Sequence, residues 1–185
     1  MLRALALLPA ILLALAHTAF GVETLAPPSV HIGSVAVELD REVLRPSGSR
    51  VGIGARRAAE LERALEGSLR SALEQALSAQ GIALVSDPAT AGASLRVRAS
   101  RVRLHPFADD LSAPLSSYGR SEAGASLLVE VFAADGRLLL RLAEDYAAPD
   151  PGELRPQSAL QSRKALEGLF ARFARETGRR LGGRG

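Results

Sequence analysis

Between Ala58 and Gln80 a leucine stands at every fourth position: Leu61, Leu65, Leu69, Leu73 and Leu77. Ala64, Ala72 and Ala76 fill the adjoining positions, while Glu60, Glu62, Arg63, Glu66, Arg70 and Glu74 take the other sides. Only an α-helix gathers such a spacing into one stripe, because residues three and four apart share a helical face. Gly81 follows as a C-terminal stop, since glycine readily adopts the left-handed conformation that ends a helix. Burying these leucines at about 1.5–3 kcal/mol each makes the helix a main wall of the core. The rest of the chain must supply the layer it packs on.

That layer reads as β-structure. "VHIGSVAVELD" carries Val30, Ile32, Val35 and Val37 and suits a first strand. The stretch up to the helix, "REVLRPSGSRVGIGARR", reads as an irregular loop. "IALVS" is a short strand, "DPATAG" a turn, and "SLRVRASRVRL" a third strand. In the third strand the apolar residues change phase: Leu95, Val97 and Ala99 share one face, and Val102 and Leu104 fall on the other. A β-bulge near Ser100 and Arg101 restores the phase by setting two residues opposite one. Without it two arginines would enter the core, where an unpaired charge is very costly. With it, Arg96, Arg98 and Arg103 share the outer face and Arg101 sits beside them.

"ASLLVEVFAADGRLLLRLAEDY" reads as a hairpin. Taking Asp135 and Gly136 as a two-residue type I′ turn pairs Ala133 with Leu138, Val131 with Leu140 and Val129 with Leu142 on an apolar face. The other face pairs Phe132 with Leu139 and Glu130 with Arg141. The apolar match fails where Leu127 meets Glu144. "APDPGELRPQS" then breaks the chain, and Leu160, Leu166, Leu169, Phe170, Phe173 and Leu181 mark one face of a final helix. The expected fold is α+β: a mostly antiparallel sheet of about five strands with two long amphipathic helices packed on one face. The other sheet face is left for water or a partner.

The N-terminus has the form of an export signal. Arg3 precedes an unbroken apolar run from Ala4 to Ala16, and small residues follow, as in a cleaved secretory signal peptide over residues 1–21. The run falls short of the roughly 20 apolar residues that span a bilayer. Residues 22–30 then read as a linker, 31–182 as a single domain and 183–185 as a tail. The expected location is the periplasm or the outer membrane, with no transmembrane span in the mature chain and the oligomeric state left open.

Several chemistries are disfavoured. The absence of cysteine rules out disulfides, a thiol nucleophile and lipid attachment at a cysteine. The formal net charge is only +3, tryptophan is absent and aromatic residues make up 4%, so neither the basic surface nor the stacking groups of a nucleic-acid binder are expected. "GIGARR" lacks the three glycines directly after a strand that a dinucleotide fingerprint requires. His17, His31 and His105 are not spaced as metal ligands. No metal and no cofactor are expected.

The segment 105–123 is too long and polar for a simple connection, and loops beyond roughly 12–15 residues are often functional. It holds His105, Asp109, Asp110, Ser116, Ser117, Tyr118 and Arg120, from which hydrolytic chemistry could be assembled. No G-x-S-x-G elbow accompanies them, so no catalytic residue is assigned. The candidate binding residues are Arg96, Arg98, Arg101, Arg103, His105, Asp109, Asp110, Tyr118 and Arg120. Glu130, already matched to Arg141, cannot neutralise four arginines, so their face is left to solvent or to an acidic partner.

Taken together, "ALSAQGIALVSDP", "ASLRVRASRV", "GASLLVEVFAADGRLLLRLAED" and "KALEGLFARFARETGRRL" resemble the domain-of-unknown-function 3313 family of exported bacterial proteins, many of them lipoproteins. The resemblance implies an envelope location and supplies no catalytic residues. This chain departs from the family in lacking the lipidated cysteine. The function expected on these grounds is a non-enzymatic exported envelope protein that binds or assists another envelope protein. The alternative is a periplasmic ligand-binding protein or hydrolase that uses residues 105–123.

Overall fold

The computed structural model describes residues 27–40, 54–104, 117–119, 123–146, 155–157 and 159–183. The expected signal peptide, most of the linker and most of the segment 105–123 lie outside these residues. The elements are β1 (Ser29–Leu39), α1 (Ala55–Ala79), β2 (Ala83–Leu84), β3 (Ala93–Arg103), β4 (Ser117–Gly119), β5 (Gly124–Ala133), β6 (Leu138–Tyr146), β7 (Arg155–Gln157) and α2 (Ala159–Leu181). Five strands form one sheet in the order β2-β1-β3-β5-β6, and β4 pairs with β7 as a separate ribbon. The α+β class is as expected, with β3–β5, β5–β6 and β4–β7 antiparallel. The sheet is nonetheless mixed, because β1 runs parallel to both β2 and β3. Those parallel pairs follow from α1, a crossover long enough to return the chain in the same direction.

The leucine stripe does what its spacing predicts. Leu65, Leu69, Leu73 and Leu77 are fully buried, and Leu61 packs at the margin of the same core. Gly81 closes α1 at φ +76°. Its N–H donates to the carbonyl of Ser78 and that of Ile82 donates to Leu77, at 2.9 and 3.1 Å. This is the paired C-terminal closure that glycine permits, and buried Ile82 sits beside Leu77 to seal it. On α2, Leu166, Phe170, Phe173, Ala174 and Leu181 face the same core. The two helices touch along α2, and a methyl group at Gly178 would lie 2.9 Å from the Ala76 carbonyl oxygen.

The bulge in β3 is present where the phase change requires it. Ser100 pairs with Ser126 and Arg103 with Gly124, so β3 spends one more residue than β5 over that interval. Arg101 carries the irregularity at φ +50°, the one non-glycine residue with positive φ among those described. Ala93, Leu95, Val97, Ala99, Val102 and Leu104 are all buried as a result, while Arg96, Arg98, Arg101 and Arg103 are exposed.

The β5–β6 hairpin differs from expectation at its tip. Gly136 has φ +84° and Asp135 is not left-handed, so a type I′ turn, which needs both, is excluded. The loop instead spans three residues: the N–H of Ala133 donates to the carbonyl of Arg137, and that of Gly136 donates to Ala133. Asp135 Oδ1 accepts the Arg137 N–H at 2.9 Å and fixes this shape. Phe132 therefore faces Leu138 and not Leu139, and a further irregularity returns Val131 to Leu140, Glu130 to Arg141 and Val129 to Leu142. Of the expected apolar pairs, Val131–Leu140 and Val129–Leu142 are kept, while Ala133 faces Arg137 in place of Leu138.

Candidate functional site

Both helices cover one face of the sheet, so the strand residues of opposite parity build an outer face that no described helix covers. Across it, Ser34, Arg96, Glu130 and Arg141 form one row, and Ala36, Arg98, Leu128 and Ala143 the next. All four arginines singled out from the sequence lie here. Each has a partner within the chain. Arg98 donates to Glu38 Oε1 at 2.6 Å. Arg103 donates to Asp40 Oδ2 at 3.3 Å. Arg101 reaches Ser126 Oγ at 2.6 Å and Asp145 Oδ1 at 3.0 Å. The Arg96 guanidinium lies 5.0 Å from the centre of the Phe132 ring. Glu130 and Arg141 stand 3.6 Å apart.

The expected shortage of carboxylates on this face is thus corrected. Glu38 lies in β1, Asp40 directly follows it and Asp145 lies in β6, strands that the fold lays on either side of β3 and β5. These pairs are largely exposed and contribute about 0–1 kcal/mol each. Their effect is geometric: they hold long side chains in place over the sheet.

Of the remaining candidates, His105, Asp109, Asp110 and Arg120 lie outside the described residues. Tyr118 lies in β4, across from Pro156 of β7. The strands β4 and β7 fall in stretches expected to be irregular.

A second cluster was not singled out from the sequence. Glu144, Arg172, Arg175, Glu176 and Arg179 line an open groove of about 310 Å³ between the end of β6 and α2. Beside it the Tyr146 hydroxyl donates to Glu144, and the Arg172 guanidinium sits 5.7 Å from the Tyr146 ring centre. Burial, and then the bond to Glu144, push the Tyr146 hydroxyl well above its ordinary range. Hydrogen bonds from Arg179 at 2.8 Å and Arg180 at 2.7 Å hold the Glu176 carboxyl down at about 2. Neither shift moves a group toward neutrality, where a general acid or base works best. The sequence did carry one signal for this groove: Glu144 falls on the helix-facing side of β6, opposite buried Leu127.

Among the described residues, no group of three or more His, Cys, Asp or Glu side chains is placed to hold a metal ion, and no helix is long and apolar enough to cross a membrane.

No family model and no curated protein matches the chain. Its resemblance to the domain-of-unknown-function 3313 family rests on the quoted segments alone. Solved structures do match. An uncharacterized protein is similar over 84% of this chain and 94% of its own, at 12% identity and a TM-score of 0.48. Protein XCC0632 from Xanthomonas campestris, of the family DUF330, is similar over 82% and 84%, at 16% identity and a TM-score of 0.45. A PelC dodecamer from Paraburkholderia phytofirmans is similar over 85% and 88%, at 12% identity and a TM-score of 0.40. Likeness this remote carries no inference about activity or assembly.

Proposed function

We propose that the chain is a non-enzymatic module of the bacterial envelope that binds another envelope protein through the outer face of its sheet. The observation that carries the reading is that Arg96, Arg98, Arg101 and Arg103 are each held by a partner of the chain's own. Leu128 and Phe132 lie beside them in partial exposure. Arginine and aromatic side chains are the groups most enriched where proteins recognise one another. Side chains already fixed lose less freedom on binding. Because the bound carboxylates belong to the chain itself, the partner need not be strongly acidic. β3 ends at Arg103 and β5 begins at Gly124, and these two residues pair. The envelope location rests on the signal-like N-terminus.

A photocrosslinking residue placed at Arg98, compared with one at exposed Gln75 on α1, tests this in intact cells. The expected result is a defined adduct from the Arg98 position and none from Gln75. Equal capture at both positions, or none at Arg98, removes the outer face as the binding surface.

A further inference from the structure

We propose that two copies of this chain join edge to edge through β6, in antiparallel register about a two-fold axis at Ala143. This goes beyond the outer-face reading and does not depend on it. β6 ends the sheet, and among the described residues no strand pairs with its far side. Among the described residues, this nine-residue strand has a strand partner on one side only, and a further strand can satisfy the N–H and C=O groups of the other side.

The occupant is a second copy because β6 is complementary to itself in one register. Arg141, Ala143 and Asp145 lie on the outer face. With Ala143 on the axis, Arg141 of each copy faces Asp145 of the other, giving two opposite-charge pairs, and the small Ala143 faces itself. Residues directly opposite in an antiparallel pair point to the same side, so both helical layers stay on one side of a continuous sheet. Other registers are worse. An axis at Arg141 or at Glu144 sets like charges face to face, and an axis at Leu142 leaves Arg141, Glu144 and Asp145 all opposite uncharged residues, whereas the Ala143 axis leaves only Glu144 so placed, opposite Leu142. Arg141 and Asp145 also have room for a second partner. Despite their bonds to Glu130 and Arg101, their side chains remain 63% and 76% exposed.

The chain contains no cysteine, so Ala143→Cys introduces a single thiol at the proposed axis. Mild oxidation of the full chain carrying it should give a covalent dimer, and Ser71→Cys on the exposed side of α1 should not. By light scattering the unmodified chain should have twice its single-chain mass. Arg141→Glu and Asp145→Arg should each return it to single-chain mass, and the two together should restore the doubled mass. Thermal melts check that each variant is folded. If one of them is not, the cysteine crosslink in the otherwise natural chain still decides. A single-chain mass with no crosslink above the Ser71→Cys control overturns the proposal. So does a closed assembly of more than two copies, or a crosslink yield equal at the two positions.

Discussion

The two edges of the main sheet are finished in different ways. Along β1 beyond its short pairing with β2, α1 supplies the missing partners. Glu66 accepts the N–H of Val37 at 3.3 Å and Glu62 that of Leu39 at 3.1 Å. Arg70 donates to the carbonyl of Ile32 at 3.2 Å. Along β6, the charged side chains of α2 gather instead in the groove with Glu144. The difference follows from chain order. As the crossover between parallel strands, α1 is laid beside β1, and its charged flank falls level with the open backbone. The helix after β6, α2, packs over β5 and β6 with its apolar side. Charged residues on α1 that look like a solvated flank in the sequence therefore act as an edge guard, a recognised way of preventing unwanted strand pairing.

The largest expected effect comes from stripping that guard. Replacing Glu62 and Glu66 together by alanine leaves two backbone donors without their carboxylates, and should cost about 1–3 kcal/mol in all. It should also make the β1 edge adhesive, so that self-association no longer depends on β6 alone. Chemical denaturation and light scattering read the two outcomes. An unchanged midpoint with unchanged mass would show that β1 needs no guard.

The guard works only while α1 is held in place, and α2 holds it at Gly178. Gly178→Ala drives a methyl group against the Ala76 backbone at 2.9 Å, and overpacking of this kind costs about 1–3 kcal/mol. Gly168→Ala on the same helix meets nothing within 4 Å and should stabilise by up to about 1 kcal/mol through helix propensity. Opposite signs in the two melting midpoints are the expected outcome. If both stabilise, the close contact between the helices is not as described.

The sequence made local order legible and long-range order much less so. The leucine stripe, the Gly81 stop and the bulge at Arg101 each follow from rules that act within a few residues, and each was found. The Glu130–Arg141 pairing holds although the turn is of another type, because the apolar pattern of both strands fixes it independently of Asp135 and Gly136. What could not be read was which strand lies beside which. β1 is parallel to β3 across about 60 residues of chain, so nothing local announces that Glu38 meets Arg98 or that Asp40 meets Arg103. The groove at Glu144 was half visible. In the sequence Glu144 reads as a fault in the apolar pairing, and in the structure it marks the rim where β6 meets the arginines of α2.

The seam under the β6 edge also responds to pH, first through Tyr146. Its hydroxyl is held protonated, chiefly by burial and then by Glu144. A folded value raised above the ordinary 10.0 means stability that is fully present below that pH and is lost as pH climbs through the folded value. Tyr146→Phe lacks this loss, so the melting-temperature gap between it and the natural chain should change as pH rises above 10 and be constant below it. In a Tyr118→Phe background, the tyrosinate absorbance reports Tyr146 alone and should lag that of free tyrosine. Titration with free tyrosine would refute the burial of the hydroxyl and its bond to Glu144.

The smallest effect belongs to Glu176, because its partners are exposed arginines and solvent weakens what they contribute. Its carboxyl falls from 4.5 to about 2 through the bonds from Arg179 and Arg180. A lowered folded value has the opposite sign to that of Tyr146: the stabilisation is present above pH 4.5 and disappears as pH falls through about 2. Glu176→Gln keeps the shape and removes the charge, so it should melt slightly below the natural chain at neutral pH and approach it across that acid window. It also leaves Arg179 and Arg180 near the last turn of α2, where positive charge favours the helix terminus, which further limits the loss. The same measurement in high salt should shrink the neutral-pH gap. A gap that persists unchanged from neutral pH to pH 2 would mean that Glu176 contributes through packing at the β6 seam and not through its charge.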